Sequence, residues 1–118
     1  MKMTENQISY QIRGAIFDVY NELGPGLLES VYEATLCYEL QSQGFEIRHQ
    51  VPVKVQYKNV GIDMDLRLDI LVDNSVILEL KSVSEIQPVH VKQLLTYMRL
   101  TGVRLGYVIN FNEYSLRD

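Results

Sequence analysis

Two apolar runs flank a polar turn in Leu66-Arg67-Leu68-Asp69-Ile70-Leu71-Val72-Asp73-Asn74-Ser75-Val76-Ile77-Leu78-Glu79-Leu80-Lys81, and charges sit inside strands that should be buried. This hairpin constrains the fold more than any other stretch. Side chains on a strand repeat with period two, so Val76, Leu78 and Leu80 share one face while Ile77, Glu79 and Lys81 share the other. The position of Asp69 depends on the turn. A two-residue loop, Asp73-Asn74, opposes Asp69 to Leu78, whereas a three-residue loop, Asp73-Asn74-Ser75, pairs 72 with 76 and sets Asp69 across from Glu79. The longer loop is the reading adopted, because Asp and Asn tolerate the left-handed backbone it requires.

Facing carboxylates repel, and holding both ionised at neutral pH calls for a cation. All-oxygen ligation favours a hard ion, Mg²⁺ or Mn²⁺. A lysine two residues beyond Glu79 is placed to hold or activate a water, or to stabilise charge on a phosphoryl group.

The chain has 118 residues, a length that suits one domain with its own core. At 47% hydrophobic and 22% charged, with no low-complexity run, it is globular in composition. No apolar run approaches the roughly 20 residues that cross a bilayer. Met1-Lys2-Met3-Thr4-Glu5-Asn6 precedes no apolar signal core, so a cytoplasmic protein is expected. The lone cysteine, Cys37, falls in a helical pattern and is expected to pack. A net charge of −4 and a pI near 5.1 argue against nucleic-acid binding driven by global charge.

Taken in order, Ile8, Ile12, Ala15, Ile16, Val19, Tyr20 and Leu23 form a helical stripe over residues 5–23, with Thr4 as N-cap and Gly24 as stop. A second helix is expected from Leu28 to Gln43, with core positions Val31, Ala34, Thr35 and Tyr38, and candidates at Leu36 and Leu40. Phe45 to Tyr57 alternates as a strand whose Pro52 suggests an edge or a bulge. The hairpin follows as Val60–Val72 and Val76–Val83. A third helix from Gln87 to Leu100 places Val91, Leu94, Leu95 and Met98 on its inner face, and Arg104 to Asn110 is a last strand. The order α-α-β-β-β-α-β predicts an α/β domain with a mixed four-stranded sheet flanked by helices, its last strand joined by a right-handed crossover.

Asp69 followed by Glu79-Leu80-Lys81 resembles the signature of the PD-(D/E)XK nuclease superfamily. Gly26, Glu29 and Tyr32 spell G-x-x-E-x-x-Y, similar to the GxxExxY family, a small-protein branch of that superfamily. The resemblance runs from about Ile8 onward and includes Gln93-Leu94-Leu95-Thr96-Tyr97 and Ile109-Asn110-Phe111-Asn112. It implies a restriction-endonuclease-like core and a metal-dependent phosphodiesterase acting on DNA or RNA. On that reading Asp69, Glu79 and the carbonyl of Leu80 ligate Mg²⁺ or Mn²⁺, and Lys81 positions or deprotonates the attacking water. Leu68 replaces the proline that usually precedes the aspartate. The chain also stops at Leu116-Arg117-Asp118, where related sequences usually continue with a short apolar segment, so an exposed sheet edge and a homo-oligomer are expected.

Other candidates carry two readings each. Glu29 either serves a helix end, where the dipole favours a carboxylate, or reaches the cation as a further ligand. Tyr32, one turn on, either packs or offers its hydroxyl to substrate. Gln93 and Tyr97 share a helix face: Gln93 to orient a water or a phosphate oxygen, Tyr97 to contact the substrate backbone, or both simply to face solvent. His90 is a surface or packing histidine or a catalytic one. The main functional alternative to a nuclease is a non-catalytic binding or regulatory module that keeps the fold, which the acidic charge favours, and a small-molecule phosphodiesterase is a third reading.

Overall fold

The computed structural model describes residues 3–112 and contains α1 (Glu5–Leu23), α2 (Glu29–Ser42), β1 (Ile47–Tyr57), β2 (Val60–Val72), β3 (Val76–Lys81), α3 (Pro88–Thr101) and β4 (Leu105–Asn110). Thr4 and Gln7 exchange side chain-to-backbone hydrogen bonds at the start of α1, and Gly24 closes its end. The strands form one sheet in the order β1-β2-β3-β4. The first two pairings are antiparallel, and β3 runs parallel to β4 through the α3 crossover. This is the mixed α/β architecture expected. Among the described residues, no helix is long and apolar enough to cross a membrane. The expectation attached to Leu116-Arg117-Asp118 lies outside the described residues.

Helices cover both faces. On one, Ile8, Ile12 and Ala15 of α1 and Tyr32, Leu36 and Leu40 of α2 pack over Ile70, Val72, Val76, Leu78 and Leu80. On the other, Leu94 and Tyr97 of α3 cover Val51, Val53, Leu68, Leu71 and Ile77. Gly106 lets α3 sit this close to β4, since a Cβ there would stand 2.7 Å from Leu94 Cδ1. Cys37 is buried, as expected, and burial, followed by the charge of Glu33, pushes its thiol up to about 11.

Two helices are rotated relative to their expected phase. The buried stripe of α2 is Tyr32, Leu36, Cys37 and Leu40, while Val31, Ala34 and Tyr38 are exposed. In α3 the inner residues are Leu94 and Tyr97, with Met98 partly buried, and Val91 and Leu95 face outward. Both helices carry apolar residues on more than one side, so spacing alone admits two stripes, and contact with the sheet selects one.

The sheet contains a change of face that period-two counting misses. Ile47 packs against the α1/α2 side, but Val51 and Val53 lie under α3; Ile70 lies under α1 and α2, but Leu68 under α3. The switch falls at Gln50 and Asp69, which form no pair although His49↔Ile70 and Val51↔Leu68 flank them. Gln50 has φ 51°. Left-handed backbone costs a non-glycine residue on the order of 1 kcal/mol, so the surrounding pairing must impose it. Beyond this break β1 and β2 continue as a two-stranded arm to the Lys58-Asn59 turn, with a register shift between Val53 and Val55 and with Tyr57, Val60 and Met64 exposed. Pro52 lies on β1, an edge strand, as its lack of an N–H demands.

Candidate active site

The β2–β3 hairpin has the register expected of the three-residue loop. Val72 pairs with Val76, Leu71 with Ile77 and Ile70 with Leu78. Asp73 and Asn74 adopt φ of 51° and 53°, and Ser75 N–H donates to Val72 O at 2.8 Å. Past Ile70 and Leu78 the ladder stops, and carboxylates take over its hydrogen bonding. Asp69 N–H donates to Glu79 Oε2 at 2.7 Å, and Leu80 N–H donates to Asp69 Oδ2 at 2.8 Å. Each acid is thereby held by the main chain of the opposite strand. Leu80 reaches the site through its main chain, while its side chain lies in the core.

Burial dominates the electrostatics. Glu79, 3% exposed, is pushed up to about 7 by loss of solvent. The Asp69 N–H opposes that rise and the Asp69 charge adds to it; Lys81 lowers the value and Glu33 raises it. Burial also raises Asp69, against the Leu80 N–H, Lys81 and Gln50, while Glu29 adds to the rise. Lys81, at the end of β3, thus acts on both carboxylates at once, as its i+2 spacing from Glu79 anticipates.

Glu29 does not cap its own helix. Its Oε2 accepts from Ser82 N–H at 3.1 Å, just beyond Lys81, and Ser82 Oγ donates to Leu27 O at 2.7 Å. Tyr32 is withdrawn from any substrate surface: it is fully buried, its hydroxyl donates to Gly24 O at 2.6 Å and accepts from Leu27 N–H at 3.0 Å, and its ring stacks on Phe111 at 4.2 Å. Gly26 takes φ 89°, which suits glycine. The G-x-x-E-x-x-Y stretch is therefore a clamp joining the α1–α2 loop to the end of the strand that carries Lys81.

Tyr97 is likewise corrected from a substrate contact to a core residue. It is 2% exposed, and its hydroxyl accepts from Gln93 Nε2 at 3.0 Å. Burial raises that hydroxyl's pKa; the Gln93 bond opposes the rise, and the charges of Glu79 and Asp69 add to it, so it lies beside the acids without being presented outward. Gln93 itself is exposed. His90 Nδ1 accepts from Gln87 N–H at 2.9 Å and serves the start of α3.

Three residues escape a reading of the chain alone. Glu33 accepts from Gln50 Nε2 at 2.7 Å and lies 3.6 Å from His49 Nδ1. Its spacing of four from Glu29 was the available signal, since that places both on one side of α2. Gln50 also reaches Asp69 Oδ1 at 3.5 Å. Asn110, buried, brackets Val83: Oδ1 accepts from its N–H at 3.1 Å and Nδ2 donates to its carbonyl at 2.9 Å. Asn110 falls in the Ile109-Asn110-Phe111-Asn112 stretch of the resemblance, which gave it no role, and Gln50 carries no local signal, because each acts across the fold.

Among the described residues no group of three His, Cys, Asp or Glu side chains forms a ready-made metal cage. The Asp69–Glu79 pair nonetheless fits a hard dication. Both are oxygen donors whose charged forms are disfavoured by burial, and Mg²⁺ commonly uses one or two carboxylates with substrate and water completing its shell.

A mixed α/β sheet thus carries two acids and a lysine at a break in its ladder. The chain matches the family model of the PD-(D/E)XK nuclease superfamily over residues 6–118, and it belongs to that superfamily. Membership points to nuclease activity on a nucleic acid, with the divalent ions that these nucleases generally use. No curated protein and no solved structure matches the chain.

Proposed function

We propose that this protein is a Mg²⁺- or Mn²⁺-dependent nuclease of the GxxExxY branch, one nuclease domain over residues 1–118, hydrolysing phosphodiester bonds in DNA or RNA. The observation that carries the reading is the reciprocal bonding of Asp69 and Glu79 to each other's strand, beside Lys81. Asp69, Glu79 and the carbonyl of Leu80 would hold the ion, with Glu29 as a further ligand directly or through water. When bound, the ion supplies neutralising charge and polarises a phosphate oxygen.

Lys81 positions the attacking water or takes its proton, and its charge offsets that developing on the phosphoryl oxygens. Gln93, exposed beside the site, orients the water or a phosphate oxygen. The water oxygen forms a new P–O bond as the ester P–O bond breaks, and the leaving alkoxide takes a proton from solvent. Among the described residues β4 is an edge strand, so a homo-oligomer would form by edge pairing of two copies, and sedimentation tests the oligomeric state.

The decisive measurement is metal-dependent cleavage of labelled single- and double-stranded DNA and RNA, with Lys81→Met as control. Lys81→Met keeps the apolar stem, so metal affinity should be unchanged or slightly tighter while cleavage falls by roughly 10²-fold or more. Folded, metal-loaded wild-type protein that cuts none of these substrates would defeat the reading and leave a binding module in its place.

A further inference from the structure

The break in the β1–β2 ladder has a chemical use. Gln50 sits at the break in left-handed backbone, and its exposed side chain reaches across to two acids. Nε2 donates to Glu33 Oε1 at 2.7 Å and to Asp69 Oδ1 at the longer distance of 3.5 Å. An amide between two acceptors must present its NH₂ group to both, which fixes its orientation. Glu33 Oε2 lies 3.6 Å from the exposed His49 Nδ1. On the other edge of the Asp69 carboxylate, Oδ2 is held by Leu80 N–H.

We propose that Glu33 and Gln50 are positioning residues for the metal site, a relay running from α2 through the broken ladder to Asp69 that fixes the carboxylate's orientation. This rests on the reading of Asp69 as a metal ligand. The relay explains why an unfavourable backbone conformation stands at Gln50: regular pairing there would turn its side chain elsewhere and leave Asp69 Oδ1 without a donor from β1. Groups that orient a ligand from behind typically carry about 10- to 100-fold in metal affinity.

The test is Mn²⁺ affinity by calorimetry, read beside thermal stability, in wild type, Gln50→Gly, Glu33→Gln and Glu33→Leu. Gln50→Gly is informative because glycine accepts positive φ, so the fold should hold and Tm should not fall. Its Mn²⁺ affinity should drop about tenfold or more. Glu33→Gln keeps an oxygen that accepts from Gln50 and should retain most of the affinity, whereas Glu33→Leu removes the acceptor and should resemble Gln50→Gly.

A Gln50→Gly protein that binds Mn²⁺ as tightly as wild type overturns the relay while leaving the metal site standing. Equal loss in Glu33→Gln and Glu33→Leu also overturns it, since charge rather than orientation would then be at work. Wild-type protein that takes up no Mn²⁺ overturns both the relay and the metal reading beneath it.

Discussion

From Ile70 to Val72, strand β2 pairs with β1 on one side and β3 on the other, and all three residues are buried. From Val60 to Leu68 it pairs with β1 alone, and only Leu68 is buried. The two parts obey different rules. In the first, the main chain satisfies its own hydrogen bonds and the side chains are free to form a core. In the second, one side of the strand has lost its partner, and at the junction Asp69 and Glu79 supply the acceptors that a regular neighbour would have supplied. The candidate site is thus located by where pairing fails, and the acids have a structural duty in addition to any chemical one.

The contrast predicts that substitutions on the paired side strike the fold, while those at the junction strike charge and ligand binding. The largest effect on stability should come from Leu78→Ala, fully buried in the regular ladder, with a loss of about 2–5 kcal/mol in denaturant unfolding. An unchanged midpoint would mean that the paired side is not what holds the sheet together.

Glu79→Gln should do the opposite. The Glu79 carboxyl titrates at about 7 when folded, against an ordinary 4.5. The folded state therefore keeps a proton that the unfolded chain has released, so this contribution to stability is whole below 4.5, declines as pH rises toward about 7, and is gone above it. Metal-free Glu79→Gln should consequently be more stable than wild type at pH 8, by on the order of 3 kcal/mol at about 1.4 kcal/mol per pH unit, and flatter between pH 4.5 and 7. Added Mn²⁺ should stabilise wild type more than the variant. A melting temperature of wild type that rises from pH 5 to 8 without metal would contradict the sign.

Glu29→Gln tests the clamp on Ser82. If that hydrogen bond is all Glu29 does, the loss should be on the order of 1 kcal/mol or less, with Mn²⁺ affinity unmoved. Weaker affinity in an intact fold makes it a ligand as well. The smallest effect belongs to the arm: Ile62→Ala, 37% exposed, should change unfolding by about 0.5 kcal/mol or less, and a larger loss would show that the arm is packed in solution.

The hairpin register was legible because Asp73 and Asn74 advertise left-handed backbone, and a period of two then fixes every residue up to Asp69. The ends of α1 were legible too, at Thr4 as an N-cap and at Gly24, which takes positive φ. What spacing could not decide was which apolar stripe of α2 and α3 faces the sheet, since Val31 and Tyr38 compete with Tyr32 and Leu36, and Val91 and Leu95 with Leu94 and Tyr97. Of the two readings of Tyr32 the structure shows the packing one, and Tyr97 is buried as well, because a tyrosine on the buried stripe spends its hydroxyl inside the protein. Glu33, Gln50 and Asn110 act on partners from other elements, and only the fold brings them there.

Asn110 and Phe111 also set the order in which the site can come into being. The hairpin bearing Asp69, Glu79 and Lys81 can close as soon as those residues have left the ribosome, but the segment after Lys81 is bracketed by Asn110, and Tyr32 stacks on Phe111. Domains generally fold as units during synthesis, at about 5–20 residues per second. Until β4 has emerged, the acids lie on a hairpin whose far end is untethered. The final strand is thus the fastening that ties the far end of the hairpin into the rest of the fold.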